Sequence, residues 1–212
     1  MSHYFESPTG EARRRTIEGR FWETDWTFTT ANGVFSADGL DLGTAVLLRT
    51  HTPTAPPREG GRRLLDLGCG YGPIAVALAV ACPDARVDAV DVNTRALELT
   101  RVNADAHGVA DRVSALLPGD TDPDARYDEI WSNPPIRIGK DALHELLLTW
   151  LPRLTDGGVA RLVVARNLGG DSLQRWLTDE GWRCVRTASA KGFRVFEVTR
   201  PVAASDGERT AS

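Results

Sequence analysis

From residue 62 the chain alternates short apolar runs with stretches of helical period. Residues 62–67, 86–92, 112–117, 127–132 and 159–165 have the length and branched or apolar character of strands. Between them, 73–82, 94–108, 141–151 and 171–180 read as helices. Pro73 suits a first helical position, and Gly108 suits a helix end. This alternation predicts a parallel sheet with helices on both faces. The last two runs, 184–190 and 193–200, flank Lys191–Gly192 and predict a closing hairpin. The first 60 residues are less regular. The aromatic stretch at 21–30 predicts one or two strands, 43–50 a short helix, and the Pro- and Gly-rich 52–61 a loop. Residues 1–60 therefore read as a β-rich extension packed on a core domain at 61–200, with 201–212 a disordered tail. The chain has no internal repeat.

Composition narrows the class. A chain of 212 residues with 42% hydrophobic content suits one domain with a sizeable core. Its longest apolar run, 73–82, is far short of the ~20 residues that a membrane span needs. The N-terminus has no apolar core of a secretory signal. Cys69, Cys82 and Cys184 are scattered without a CxxC pair, which fits reduced thiols better than a disulfide frame or zinc site. A cytoplasmic protein without metal or membrane partner is the expectation. The net charge of -4 counts against strong autonomous RNA binding without excluding a folded or ribosomal RNA. The clusters Arg13–Arg15 and Arg58, Arg62 and Arg63 read as solvated surface charge.

Candidate chemistry begins at residues 64–72, Leu-Leu-Asp-Leu-Gly-Cys-Gly-Tyr-Gly, which place three glycines between a strand and a helix. Glycine permits a tight turn and close backbone approach to a ligand. A dinucleotide site usually reads G-x-G-x-x-G; here Gly68, Gly70 and Gly72 bring the third glycine one place early. Asp66 at the strand tip would repel a pyrophosphate but suit a cationic ligand, which favours a nucleoside bearing an amino acid. Asp91, ending the next strand, has the place and spacing to take a ribose, and Asp120 after the third strand is positioned towards a base.

This glycine loop with Asp91 resembles the cofactor site of class I S-adenosylmethionine-dependent methyltransferases. The resemblance implies a Rossmann-like seven-stranded sheet whose last strand is antiparallel, with helices on both faces. It implies S-adenosyl-L-methionine as cofactor, with Gly68, Cys69, Gly70 and Gly72 along the methionine portion and Asp66 near its amino group. Asp91 and Val92 would hold the ribose side and Asp120 the adenine side. Phe35, Leu42, Gly43 and Thr44 would cover the cofactor.

The run at 127–132 is stopped by Asn133, Pro134 and Pro135. Proline cannot donate a ladder hydrogen bond, so the strand ends there. The predicted place is beside the first strand of the sheet, where open α/β sheets bind ligands. A conjugated amino nitrogen is a poor nucleophile. The Asn133 side-chain oxygen and a main-chain carbonyl, that of Pro134, can accept its two N–H groups and aim its lone pair. Residues 133–140, Asn-Pro-Pro-Ile-Arg-Ile-Gly-Lys, resemble the signature of the MTS-type branch of these enzymes, which includes ribosomal RNA guanine-N2 methyltransferases and single-domain relatives. Residues 32–48 and 191–199 extend the resemblance. Ile136 stands where many amino methyltransferases place a stacking aromatic, and it offers only an apolar contact. Arg137 and Lys140 would meet substrate phosphate. His144 and Glu145 read as surface residues, and the six tryptophans as core rather than base platforms.

The favoured reading is methylation of an exocyclic amine, guanine N2 of ribosomal RNA, with RNA or the small ribosomal subunit as partner. Protein glutamine, adenine N6 and a small-molecule amine are the enzymatic alternatives. A regulatory or assembly module that only binds the cofactor is the alternative outside catalysis.

Overall fold

Strand by strand, neighbouring side chains bury into two different layers, and this doubles the core. The computed structural model describes residues 11–56, 59–134 and 139–201. The expectations for Arg58, Pro135, Ile136, Arg137 and the tail after Pro201 lie outside the described residues.

The first described elements are an antiparallel hairpin, β1 (Arg14–Phe21) and β2 (Thr24–Ala31), and helix α1 (Leu42–Thr50). The core follows as β3 (Arg62–Leu67), α2 (Pro73–Ala81), β4 (Ala85–Val90), α3 (Thr94–Ala106), β5 (Val113–Leu116) and β6 (Tyr127–Ser132). It ends with α4 (Lys140–Trp150), β7 (Leu154–Ala165), α5 (Gly170–Asp179), β8 (Arg183–Ala190) and β9 (Phe193–Thr199). Seven strands form one sheet in the order β5-β4-β3-β6-β7-β9-β8, with β9 antiparallel to both its neighbours.

Leu64, Val87, Trp131, Val163 and Val195 face α1, α2, α3 and the hairpin. Their neighbours Leu65, Ile130, Leu162, Val164 and Phe196 face α4 and α5. Burial on both faces explains why these strands read as continuous apolar runs, and each such side chain contributes about 1.5–3 kcal/mol on burial. Among the described residues, no helix is long and apolar enough to cross a membrane.

Three regions differ from the sequence reading. First, β1 starts at Arg14 and pairs along its whole length with β2. Only Ile17 and Phe21 of it are buried, so its solvent face reads as charge. Its turn uses Trp22 and Glu23 at positive φ instead of glycine. Second, β7 begins at Leu154, and a register shift against Tyr127/Glu129 accommodates the extra residues. Third, Arg62 and Arg63 are not solvated charges. Arg62 pairs with Asp84, and Arg63 pairs with Asp88 and lies over the Tyr127 ring. Both open β3, at the end of the strand remote from its C-terminal loop.

All five parallel strands deliver their C-terminal ends to one edge. The chain runs outward from β3 through β4 to β5, then returns to the other side of β3 as β6 and β7. The switch point therefore lies between β3 and β6, where such sheets bind ligands. Ser132 Oγ closes that seam by donating to Leu67 O at 2.7 Å.

Candidate active site

The glycine loop turns away from β3 because Gly68 N and Cys69 N both donate to Val90 O, at 2.8 and 3.0 Å. Gly72 has φ 85°, and a Cβ there would lie 2.8 Å from the Thr100 side chain, so only glycine fits. Thr100 Oγ1 in turn donates to Gly70 O at 3.0 Å. Asp91 joins the loop to the tip of β4: Oδ2 accepts from Gly70 N and Oδ1 from Asn93 N, each at 2.9 Å. Burial pushes its carboxyl upward despite these bonds. Val92 beside it is 41% exposed, and Asp120 is exposed in the 3-10 turn at 118–120. The structure thus brings Gly68, Cys69, Gly70, Gly72 and Asp91 into one bonded unit. It leaves Val92 and Asp120 exposed along the same edge.

Asp66 is fully buried. Its Oδ2 accepts from Ala75 N at 2.9 Å, standing in for the side-chain cap that Gly72 cannot give α2. Its Oδ1 is buried without a partner among the described residues, and desolvation pushes its pKa up to about 8, helped by Asp91. Cys69 is buried, and its thiol is pushed up by burial and by Asp66 and Asp91. Tyr71 OH is also buried without a partner among the described residues, and its pKa is raised by burial and by Asp41. Burial is the first cause of all three shifts, and the acids Asp41, Asp66 and Asp91 add to them. A bound cation would offset that desolvation and give Asp66 Oδ1 a partner, so the loop fits a ligand that carries positive charge, as S-adenosylmethionine does on sulfur and on its amino group.

Asn133 leaves the tip of β6 half-buried, and Pro134 after it is buried. The Asn133 Nδ2 group donates to Asp41 Oδ2 at 2.6 Å and to Thr44 Oγ1 at 3.0 Å. Among the described residues nothing donates to its Oδ1. Asp41 is the N-cap of α1 and also accepts from Thr44 N at 3.0 Å. Gly43 makes this approach possible: a Cβ on it would lie 2.9 Å from Asp41 Oδ2, 2.9 Å from the Phe193 ring and 3.2 Å from Asn133 Oδ1. Gly43 and Thr44 therefore pack against Asn133, while Phe35 and Leu42 remain 44% and 43% exposed.

The extension is bonded to the same loop. Asn103 of α3 accepts from Thr29 N at 2.7 Å and donates to Thr29 O and Tyr71 O at 2.9 and 2.8 Å. Asn93 donates to Gly33 O and Arg95 to Asn32 O. Lys140 is exposed at the first residue of α4. His144 stacks on Trp176 at 3.6 Å, so it packs α4 against α5. Sequence reasoning missed Asp41, Tyr71, Asn93, Thr100, Asn103 and Phe193. Asp41 and Asn93 had a local signal, a capping residue just before a helix; Tyr71, Thr100, Asn103 and Phe193 act through contacts distant in sequence.

The family model described as "Methyltransferase small domain" (MTS) matches residues 25–197. The chain belongs to the methyltransferase small domain family. Its cofactor is S-adenosylmethionine, and its reaction class is methyl transfer. The MTS chain is 34% identical over 172 residues to the uncharacterized protein YbxB of Bacillus subtilis, covering 80% of this chain and 84% of that one. It is 38% identical over 149 residues to ribosomal RNA small subunit methyltransferase C of Citrobacter koseri, covering 68% of this chain. It spans 42% of that relative's length. Among solved structures it is similar to the T. thermophilus 16S rRNA N2 G1207 methyltransferase (RsmC) in complex with AdoMet and guanosine. The TM-score is 0.74 at 26% identity, over 91% of this chain and 52% of that one. The mitomycin 7-O-methyltransferase MmcR, at 20% identity and TM-score 0.56, shares the fold.

Proposed function

We propose that this protein methylates an exocyclic amino group, guanine N2 of ribosomal RNA, in the cytoplasm. The observation that carries the reading is the amide of Asn133. It stands at the switch point with its NH2 committed to Asp41 and Thr44, so its oxygen is the acceptor it offers. Guanine N2 of ribosomal RNA is the choice supported by the name of the T. thermophilus neighbour and by the small-subunit methyltransferase relatives.

Gly68, Cys69, Gly70 and Gly72 would line the methionine portion of the cofactor, with Asp66 near its amino group. Asp91 and Val92 would hold the ribose, Asp120 the base, and Phe35 and Leu42 would cover it. When bound, S-adenosylmethionine supplies an electrophilic methyl group on a sulfonium. Asn133 Oδ1 and the Pro134 carbonyl accept the two N–H groups of the target amine and favour its pyramidal form, aiming the lone pair. Pro134 and Pro135 hold that carbonyl rigid; a displacement of about 1 Å could cost on the order of 100-fold in rate. No strong base is needed, because the proton leaves after the nitrogen has gained its fourth bond. Lys140 and Arg137 contact substrate phosphate, and Ile136 gives an apolar contact. A base within folded RNA must be splayed out to reach Asn133.

The test is a labelled-methyl assay across small ribosomal subunits, naked ribosomal RNA and release factors, with nucleoside analysis of the product. N2-methylguanosine in the RNA is expected. Label confined to protein would overturn the RNA reading. Asn133→Ala should abolish transfer while sparing S-adenosylhomocysteine binding.

A further inference from the structure

We infer that Asp41 is a positioning residue of the active site. From the N-cap of α1, its carboxylate dictates which end of the Asn133 amide faces the acceptor nitrogen. The inference rests on the reading of Asn133 as the amine clamp and adds to it the device that sets the clamp.

A side-chain amide is nearly symmetric in shape, and rotation by a half-turn exchanges a double acceptor for a double donor. At this site the exchange would be fatal: an NH2 group presented to a target amine repels its N–H bonds instead of accepting them. The surroundings must therefore choose the orientation, and Asp41 can do so. An ionised carboxylate has no proton to give, so it can only face the Asn133 NH2. The 2.6 Å contact from Nδ2 to Asp41 Oδ2 is of the charge-assisted kind, roughly twice as strong as a neutral one. Turning the amide over would bring its oxygen against the carboxylate oxygen. Thr44 Oγ1, buried and 3.0 Å from Nδ2, adds a second acceptor for the same NH2 group.

The position of Asp41 is itself fixed. Its Oδ2 also accepts from Thr44 N, so the atom that orients Asn133 is the one that caps α1. Gly43 leaves the space between them open, since a Cβ would press within 2.9 Å of Asp41 Oδ2 and 3.2 Å of Asn133 Oδ1. The first turn of α1 thus works as a jig for Asn133, 92 residues away in sequence.

The test compares Asp41→Ser with wild type. Serine is as good an N-cap as aspartate, so the helix and its packing are kept, while the acceptor-only atom that forbids the flipped amide gives way to a shorter hydroxyl that can donate as well as accept. Expected are a kcat lowered about 10- to 100-fold, with Tm and S-adenosylhomocysteine affinity near wild type. Asp41→Asn, whose side-chain oxygen can keep both the cap and the Asn133 contact, should lose less. Thr44→Val should lower kcat more than Thr44→Ser, which keeps the hydroxyl. In the protein alone, the Asn133 side-chain NH2 resonances should be shifted and protected from hydrogen exchange, and should lose both features in Asp41→Ser. With small ribosomal subunits as methyl acceptor, wild-type kcat in Asp41→Ser, where Asn133→Ala is inactive, overturns the inference and leaves the clamp standing. Unchanged NH2 resonances in Asp41→Ser overturn it equally. Full turnover by Asn133→Ala overturns the clamp itself.

Discussion

Asp91 Oδ2 accepts the backbone N–H of Gly70 at 2.9 Å, so the acid at the tip of β4 holds the glycine loop of β3 in shape. The same carboxylate takes Asn93 N through its other oxygen. Asp91→Ala therefore removes the proposed ribose contact and loosens the loop together. Hydrogen bonds to charged groups are worth about 1.5–3 kcal/mol, so S-adenosylhomocysteine affinity should fall at least about tenfold. Isothermal titration checks this; unaltered affinity would sink the assignment of Asp91.

Asp66 gives a pH signature. Its pKa is raised from 3.8 to about 8 in the folded protein, so the folded state binds its proton more tightly than the unfolded chain. The stability from neutral Asp66 is fully present below about pH 4 and is lost as pH rises through about 8. Asp66→Asn keeps an acceptor for Ala75 N and carries no charge to desolvate. The ligand-free variant should therefore unfold at a higher temperature than wild type at pH 8, with the gap closing towards pH 4. Melting curves across that range decide it, and the opposite trend refutes the assignment. The variant should also bind S-adenosylhomocysteine more weakly.

Gly43→Ala sets two effects against each other. Alanine in a helix gains up to about 1 kcal/mol over glycine, while crowding a packed site typically costs 1–3 kcal/mol. Tm should therefore change little or fall slightly. The added Cβ presses on Asp41, Asn133 and Phe193, so kcat should drop at least tenfold while cofactor affinity holds. A variant with normal kcat would show that the first turn of α1 has slack.

Asn103→Ala removes three hydrogen bonds, two half-buried ones to Thr29 and a buried one to Tyr71. With roughly 1 kcal/mol for each bond and a desolvation penalty for groups left unpaired, about 3 kcal/mol of stability should go. Hydrogen exchange should quicken at residues 27–30 and at 70–72 together. Faster exchange in the hairpin alone would mean that it is not coupled to the loop.

Much of the core could be read from local pattern. Strands such as Leu64–Leu67 and Tyr127–Ser132 announce themselves because both faces are buried, and Pro73 marks the start of α2. The glycine loop was legible because tight turning at Gly72 and the reach of Asp91 to Gly70 demand particular residues at particular spacing. The hairpin was less legible. Its turn at Trp22–Glu23 lacks glycine, and β1 buries only one face, so arginines mask its alternation. The arginines at 62 and 63 looked like surface charge because their partners arrive from afar in sequence, Asp84 from the turn before β4 and Asp88 from β4 itself.

Sequence alone determined the order of the core elements, the glycine loop and the Asn-Pro-Pro stop to β6, because periodicity, glycine conformational freedom and proline's missing donor act within a few residues. Tertiary structure alone decided what those groups are. It buried Asp66 and left one of its oxygens without a partner among the described residues, and it brought Asp41 to Asn133 across 92 residues. Orientation of an amide and ionisation of a carboxyl depend on the dielectric and on partners within about 3 Å. Those partners come together only when the sheet, its helices and the extension close on one another.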